Sequence, residues 1–419
     1  MIGGIDKYRE ADILQRSTPA RTAATLIALA VVLTLVPGAS GWVRAAAQEN
    51  TGGEQTAAEA AAPGQPELQT QSWALTDAKT GLYLAGKNPD ERLPIASTTN
   101  VMVALVALDE GVDLDEEVVV PEEAERFVGF TYSNVGLIAG ERVSVRDLLV
   151  ASLVPSGTDA VYALAHHLGD GSVERFVEKM NAKASEMGLQ NTHFEDPAGL
   201  DARGHYSSAR DLATMTRAAM EYPVFADIVD MEEATIKTQS REIEVFNTNN
   251  LLYTYPEATG VKTGTSPEAG PSLVASAEEG GESYIAVVLD ARNEQYRFEA
   301  AQVALGYGFD NFERRPLVRE GKVYEEAPLP YRREESVGLA AEEEVLGIAG
   351  PGLEAERRIT EKEPPPSARA GQEFGTIEVL VDRQSVGSSP LVTEKGYEEA
   401  SLWQKIKYWI SGLVERVSG

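Results

Sequence analysis

The sequence predicts an α+β protein, with an antiparallel sheet flanked by helices, a small all-β domain after it, and a C-terminal amphipathic helix. Three observations predict this class. Strand-like alternation brackets a central block of helical periodicity. Beyond residue 315 the composition changes to short β-like runs broken by Glu and Pro. The length of 419 residues exceeds what one core usually holds, which favours two domains.

The N-terminal 47 residues have the features of an export signal. A leader that ends in Arg16 and Arg21 precedes an apolar run over residues 23–36, and the small residues Ala45-Ala46-Ala47 follow. The run is shorter than the roughly 20 apolar residues of a membrane span. We expect a signal peptide over residues 1–47 and a protein that works outside the cytoplasm. The alternatives are an uncleaved anchor and a buried core helix.

Residues 48–71 contain almost no large apolar side chains, so they predict a disordered linker. Ordered structure is expected from about Ser72, where the alternation in SWALTDAKTGLYLAGKN predicts a β-hairpin. Residues 97–110 follow as a helix that is apolar on every side, and Gly111 ends it. Ser97 opens this helix. Free backbone N–H groups at that end favour a group that becomes anionic.

The rest of the first domain, predicted over residues 72–312, is a helical block followed by returning strands. Apolar spacings of three and four predict helices, and alternation predicts strands. The predicted helices cover residues 145–168, 172–187, 208–221 and 293–308, and the predicted strands cover residues 235–240, 242–250 and the hairpin 272–291.

Residues 315–395 predict a small β-rich domain with a hairpin over residues 375–392. Residues 400–419 predict an amphipathic helix with Lys405, Lys407 and Arg416 away from its apolar side. The apolar side consists of Leu402, Ile406, Trp409, Ile410, Leu413 and Val417. Tryptophans and lysines beside an apolar stripe suit a membrane surface. The alternative is a helix docked on the β-rich domain.

The composition restricts partners and cofactors. Thirty-seven Lys+Arg against 66 Asp+Glu give a net charge of -29, which repels polyanions and argues against nucleic acid. The absence of cysteine excludes disulfides and thiolate metal sites, and four scattered histidines argue against zinc. We therefore expect no metal and no other cofactor.

Three short segments carry the candidate chemistry. They are Ser97-Thr98-Thr99-Asn100 at a helix start, Pro155-Ser156-Gly157-Thr158 before a helix, and Lys262-Thr263-Gly264-Thr265 leading into a strand. Each segment alone is a weak signal. Their order, separations and placement on helix, loop and strand are jointly restrictive.

Together these segments resemble the SxxK, SxN and KTG motifs of the serine D-alanyl-D-alanine carboxypeptidases, the low-molecular-mass penicillin-binding proteins of the peptidase S11 family. Residues 191–213, 260–277, 296–309 and 375–392 are also similar to this family, so the resemblance covers nearly all of the chain after the linker. It implies a β-lactamase/transpeptidase-like first domain and a C-terminal membrane anchor. The expected location is the outer face of the cytoplasmic membrane.

The resemblance also implies roles for individual residues. Ser97 matches the acyl-accepting nucleophile, and its N–H with that of Thr265 matches the oxyanion hole. Ser156 matches the serine that relays a proton to the leaving amine. Lys262 matches the cation that orients Ser156 and attracts the substrate carboxylate. Thr263, Gly264 and Thr265 complete the substrate-binding strand, with Thr158 facing them.

Two residues depart from the family pattern. Thr158 replaces an asparagine, which is a mild change because a hydroxyl still donates and accepts hydrogen bonds. Asn100 replaces the lysine that takes the proton of the serine, and a carboxamide has no basicity to offer. General-base assistance contributes roughly 10² to 10⁴ in rate, so we expect reduced activity.

Two functions are therefore open on the sequence. As an enzyme, the chain would trim the terminal D-alanine of the peptidoglycan stem peptide and react with β-lactam antibiotics, with Lys262 or a water replacing the missing base. As a pseudoenzyme, it would keep the groove and serve as a peptidoglycan-binding or regulatory module. Ser97, Ser156 and the KTG segment favour the enzyme, whereas Asn100 favours the pseudoenzyme.

Overall fold

The computed structural model describes Ala62, residues 64–129 and residues 131–418, with side chains to Ser411. The predicted signal peptide over residues 1–47 lies outside the described residues, as does most of the predicted 48–71 linker. At the end of that linker, Leu68 is buried and a strand already includes Thr70. The folded domain therefore begins a few residues before Ser72.

Strands form the central sheet, two shorter hairpins and a C-terminal β-rich region. In chain order the strands are β1 (Thr70–Asp77), β2 (Tyr83–Lys87), β3 (Glu117–Val119), β4 (Arg142–Ser144), β5 (Glu233–Lys237), β6 (Glu242–Phe246), β7 (Ala258–Gly264), β8 (Ser272–Glu279), β9 (Glu282–Ala291), β10 (Glu313–Val318), β11 (Val323–Pro328), β12 (Ser336–Ala341), β13 (Val345–Ala349), β14 (Ala355–Glu361), β15 (Glu373–Val381) and β16 (Gln384–Thr393).

Helices precede, interrupt and close the central sheet. In chain order they are α1 (Asn100–Asp109), α2 (Glu122–Glu125), α3 (Val145–Leu153), α4 (Thr158–Leu168), α5 (Val173–Glu186), α6 (Ala209–Met220), α7 (Pro223–Val229), α8 (Leu251–Thr254), α9 (Glu294–Asn311) and α10 (Leu402–Ser418). A 3₁₀ turn over Ala96–Thr99 leads directly into α1.

The central sheet is antiparallel, in the order β2-β1-β9-β8-β7. Alternation along β1 sends Ala74 to the core on one face and Trp73 and Leu75 to the core on the other. The first face packs on α1, whose residues from Val101 to Ala107 are all buried. The second face packs on α9. The α+β prediction and its fully buried helix are confirmed.

The helical block differs from the prediction at one place. A single helix over residues 145–168 is wrong, because α3 ends at Leu153 and α4 begins at Thr158. Pro155 has no N–H to continue the helical ladder, and Ser156 takes a left-handed φ of 65°. The break between the two helices is the loop that carries Ser156.

The C-terminal region has a five-stranded antiparallel sheet in the order β11-β12-β16-β15-β14 and a second pair, β10 with β13. Its core is continuous with that of α9 and the outer face of the central sheet. Helix α10 contacts this region through Tyr408, whose ring lies 5.7 Å from that of Tyr331 in an edge-to-face arrangement. Trp403 and Trp409 on the same helix stay 77% and 69% exposed. Among the described residues, no helix combines the length and the apolar character needed to cross a membrane.

Candidate active site

Ser97 lies in the turn before α1. The preceding residue, Ala96, has a left-handed φ of 46°, and the turn is closed by hydroxyl groups that donate to backbone carbonyls. Thr98 Oγ1 donates to Ile95 O and Thr99 Oγ1 donates to Ala96 O, each over 2.7 Å. Ser97 is half-buried, and its hydroxyl makes no hydrogen bond within the described part of the chain. The hydroxyl is therefore free to react.

The loop between α3 and α4 holds Ser156 in place. Gly157 donates its N–H to Ala151 O and Thr158 donates its N–H to Ser133 O, both over 2.8 Å. The buried carboxylate of Asp159 accepts the N–H of Leu137 at 2.9 Å, which ties the facing loop to α4. Ser156 itself is 6% exposed. These bonds fix the Ser156 hydroxyl without a contribution from its own side chain.

Lys262 is the buried cation of the site. It is 1% exposed, and its Nζ donates to Ser156 Oγ at 2.7 Å and to Thr263 O at 2.8 Å. Burial, and then the charge of Arg297, lower the pKa of Lys262 to about 7. A large share of this amine is therefore neutral near neutral pH, in direct hydrogen-bond contact with Ser156.

Gly264 joins the strand of Lys262 to the turn of Ser97. A methyl group on Gly264 would lie 2.7 Å from Ile95 O and 3.1 Å from the backbone N of Thr98. Only a residue without a Cβ allows β7 to approach the turn so closely. The structure thereby brings together the three segments that the sequence singled out.

We expect Gly264→Ala to push β7 away from the Ser97 turn, because backbone atoms on both sides leave the methyl group no space. Misplacement of a reacting group by about 1 Å can cost roughly 10²-fold in rate, so acylation of Ser97 by a fluorescent penicillin should slow by at least about ten-fold. The control is Gly306→Ala on α9, where nothing lies within 4 Å of the added methyl group. Equal acylation rates in the two variants would contradict the close packing inferred for Gly264.

Thr265 and Arg297 form a polar end to the strand. Arg297 Nη1 donates to Thr265 Oγ1 at 2.6 Å and to Gly264 O at 3.2 Å, while the Thr265 hydroxyl donates back to Gly264 O at 2.8 Å. Arg297 is 8% exposed, and its Nε has no partner in the described part of the chain. Burial lowers the pKa of Arg297. Two buried cations, Lys262 and Arg297, therefore flank the end of β7 and suit an anionic ligand.

Sequence reasoning missed Arg297. The residue lies within the 296–309 segment that carried the family resemblance, and an arginine on a helix that packs on a sheet was the available signal. The predicted substrate-binding residues Thr263 and Thr158 both lie near the site. Thr263 Oγ1 bonds Thr248 Oγ1 at 2.6 Å, and Thr158 opens α4 beside Ser156.

Asn100 occupies the first position of α1 and is 1% exposed. Its Nδ2 donates to Ser152 O at 2.9 Å, whereas its Oδ1 is buried and has no partner in the described part of the chain. The amide oxygen can accept a hydrogen bond but has no useful proton affinity. Lys262 is thus the titratable side chain in contact with Ser156.

A family model described as peptidase S11, D-alanyl-D-alanine carboxypeptidase, matches residues 58–293, which include all three segments. The chain belongs to this family. The D-alanyl-D-alanine carboxypeptidase DacF of Bacillus subtilis is 32% identical over 342 residues, which cover 79% of this chain and 87% of the relative. DacD of Escherichia coli is 34% identical, with 82% of this chain and 91% of the relative covered.

Solved structures of the S11 family and its neighbours agree with the fold. A DD-transpeptidase of Streptomyces K15 has a TM-score of 0.56 and is 36% identical, covering 59% of this chain and 99% of that chain. The carboxypeptidase DacD of Francisella tularensis has a TM-score of 0.63 over 81% of this chain and 96% of that chain, and at 23% identity it supports the fold alone. The predicted family and the β-lactamase/transpeptidase-like domain are confirmed.

Proposed function

We propose that this S11 family member is a serine D-alanyl-D-alanine carboxypeptidase that removes the terminal D-alanine of peptidoglycan stem peptides through an acyl-Ser97 intermediate. β-Lactams would acylate the same serine. The observation that carries the proposal is the 2.7 Å bond from Lys262 Nζ to Ser156 Oγ, on a strand that Gly264 packs against the turn of Ser97.

The first step is attack by Ser97 Oγ on the carbonyl carbon of the penultimate D-alanine. The proton that leaves Ser97 passes to Ser156, while the Ser156 proton passes to neutral Lys262. Backbone N–H groups of Ser97 and Thr265 stabilise the tetrahedral oxyanion. Asn100 takes no part in proton transfer, because an amide is not a base at neutral pH.

The second step expels D-alanine. The Ser156 hydroxyl donates its proton to the leaving amine and regains one from protonated Lys262, so the relay returns to its starting state. Water then attacks the acyl-Ser97 ester and releases the shortened peptide. Arg297, with the hydroxyls of Thr263 and Thr265, binds the carboxylate of the terminal D-alanine.

The test is D-alanine release from an acyl-D-Ala-D-Ala peptide by the parent and by Ser97→Ala. We expect the parent to release D-alanine and to form a covalent adduct with labelled penicillin, and the variant to do neither. Release by Ser97→Ala at the parental rate would contradict the nucleophile. The alternative of a non-catalytic peptidoglycan-binding module gains nothing from the relatives described above, which are all named as carboxypeptidases or a transpeptidase.

The proposed relay predicts a pH dependence. Because the pKa of Lys262 is lowered to about 7, the neutral amine becomes more abundant as the pH rises through that value. Acylation of Ser97 by labelled penicillin should therefore increase from about pH 5 to about pH 9 and level off above the pKa. Lys262→Arg keeps the charge but stays protonated, so it should be slow at every pH. A parental rate that is flat across this range would show that Lys262 does not accept the proton.

We propose further that the mature chain works outside the cytoplasm and binds the outer face of the cytoplasmic membrane through α10. The support is the exposed apolar surface of this helix, where Leu402, Trp403, Trp409 and Ile410 are 58% to 77% exposed. Aromatic side chains of this size bind the boundary between headgroups and acyl chains. The contact between Tyr408 and Tyr331 holds the helix to the β-rich region at the same time.

Deletion of residues 402–419 should release the processed protein from membranes, because it removes this exposed apolar surface. High salt should release the parent only in part, since salt screens the lysines but not the burial of tryptophan. The measurement is fractionation of cells that express the two forms. A truncated protein that remains in the membrane fraction would favour an uncleaved N-terminal anchor instead.

A further inference from the structure

A loop over residues 194–205 is built against the turn that presents Ser97. Gly199 in this loop has a φ of 77°, and a methyl group there would lie 1.9 Å from Ala96 O and 2.7 Å from Thr99 Oγ1. The loop is internally fixed, because Asp196 Oδ1 accepts the N–H groups of Ala198 and Leu200 at 2.8 and 3.0 Å. Its backbone therefore forms a rigid wall behind the turn.

His205 ends this loop and is 5% exposed. The N–H of Glu195 donates to its Nδ1 at 3.2 Å, so Nδ1 carries a lone pair and the ring hydrogen is on Nε2. The Nε2–H group then donates to Thr99 Oγ1 at 2.9 Å. Thr99 in turn donates to Ala96 O at 2.7 Å. Each hydrogen in this series has one direction that satisfies all of its members.

The series ends at a strained residue. Ala96 is a non-glycine residue with a left-handed φ of 46°, a conformation that persists only where surrounding contacts impose it. Its carbonyl oxygen is the acceptor of the Thr99 hydroxyl, and Ser97 follows it directly in the chain. A change in the hydrogen bonds at Ala96 would therefore alter the direction of the Ser97 hydroxyl.

We propose that His205 is a positioning residue for Ser97, which acts through Thr99 to hold the left-handed turn at Ala96 in its reactive geometry. His205 contacts none of the reacting atoms, so it is not a catalytic residue. The inference rests on the proposed function, because its effect is measured through the reactivity of Ser97.

The surroundings of His205 keep the ring neutral. Burial lowers the pKa of His205 to about 4, with a smaller opposite effect from the carboxylates of Asp196, Glu195 and Asp201 and a small lowering effect from His193. The neutral ring keeps the Nδ1 lone pair that the Glu195 N–H requires. The same ring supplies the Nε2 hydrogen to Thr99.

Paired variants separate this role from packing. Thr99→Val removes the hydroxyl at nearly constant shape, whereas Thr99→Ser keeps it. His205→Asn keeps an acceptor near the Glu195 N–H but cannot reach Thr99, whereas His205→Gln keeps a donor at the place of Nε2. His193→Asn is the control, because that histidine lies in the same segment with a side chain that is 44% exposed.

The measurement is the acylation of Ser97 by a fluorescent penicillin, separated into the binding constant and the first-order acylation rate constant. We expect Thr99→Val and His205→Asn each to lower the rate constant by roughly ten- to a hundred-fold with little change in binding. Thr99→Ser, His205→Gln and His193→Asn should stay close to the parent. The double variant Thr99→Val/His205→Asn should be no slower than the slower single variant, because both changes break one series of bonds.

Multiplying effects in the double variant, or equal losses in His205→Gln and His205→Asn, would overturn the proposal in favour of simple packing. If the Val and Asn variants do not fold, ¹⁵N NMR of the parent decides, since a ring hydrogen on Nδ1 rather than Nε2 is incompatible with the series. Failure of the proposed function has a different signature. In that case the parent itself would not be acylated, or Ser97→Ala would be labelled as well.

Discussion

Replacing Lys262 by Met is expected to stabilise the protein while abolishing acylation of Ser97. The lysine is 1% exposed, and its amine has the hydroxyl of Ser156 and the carbonyl of Thr263 as partners, with no carboxylate among them. Burying an ammonium group without a counter-ion is costly, and this cost appears as the lowered pKa. Methionine fills a similar volume without the charge.

The sign of the pH dependence follows from the two pKa values. The pKa of Lys262 is about 7 in the folded protein, against a model value of 10.5. Between these values the unfolded chain binds the proton and the folded protein does not, so the destabilisation grows as the pH falls from 10.5 to 7 and is complete below 7. At about pH 6 we expect Lys262→Met to gain ~2 kcal/mol in the free energy of unfolding, with a much smaller gain at about pH 10.

Denaturant unfolding at both pH values measures this gain. Lys237→Met is the matched control, because the Lys237 side chain is 68% exposed and its loss should change stability little at either pH. A Lys262→Met variant that is less stable than the parent at about pH 6 would contradict the prediction. It would show that the hydrogen bonds to Ser156 and Thr263 outweigh the cost of burial.

Replacing Asn100 by Lys is expected to raise the rate of Ser97 acylation by roughly 10², the usual contribution of a positioned general base. The two residues lie one turn apart on the same helical surface, so a lysine amine at position 100 can extend toward the serine hydroxyl. The exchange costs one bond, from Nδ2 to Ser152 O, because Oδ1 has no partner to lose among the described residues. Burial and the nearby Lys262 should lower the pKa of the new amine and keep part of it neutral.

Labelled penicillin measures this rate as well. Asn100→Met controls for side-chain length without an amine, and Ser97→Ala in the Asn100→Lys background should abolish labelling. If Asn100→Lys folds and reacts no faster than the parent, Lys262 already suffices as the base. Rapid turnover of a D-Ala-D-Ala peptide by the parent would then refute the expectation that Asn100 limits the enzyme.

The sequence predicted the parts of the site that depend on local pattern. An apolar run without a polar face predicted that α1 is buried, and the hairpins and capped helices followed from alternation and from residues such as Asn293, whose side chain caps α9. The break at Pro155 was missed, because apolar residues keep a helical spacing on both sides of it. There the local backbone chemistry of proline was a better guide than periodicity.

Contacts between distant segments could not be predicted from one sequence. The bond between His205 and Thr99 joins residues that are 106 positions apart, and it requires the conformation of the whole 194–205 loop. Arg297 reaches Thr265 only because α9 packs on the sheet at one particular register. The missing partner of Asn100 Oδ1 is likewise a property of the assembled core rather than of the helix that carries it.

The bond between Lys262 and Ser156 also ties reactivity to the completion of folding. The two residues are 106 positions apart, and Ser97 lies on a third segment, so the site consists of contacts of high contact order. Strand β7 is the last of the three segments in the chain and forms an edge of the central sheet. A nascent or partly unfolded chain without this edge strand has the serine but neither its proton relay nor its carboxylate-binding cations. Covalent capture of a β-lactam therefore reports the native state of the whole domain, and it can serve as a sensor of folding inside the cell.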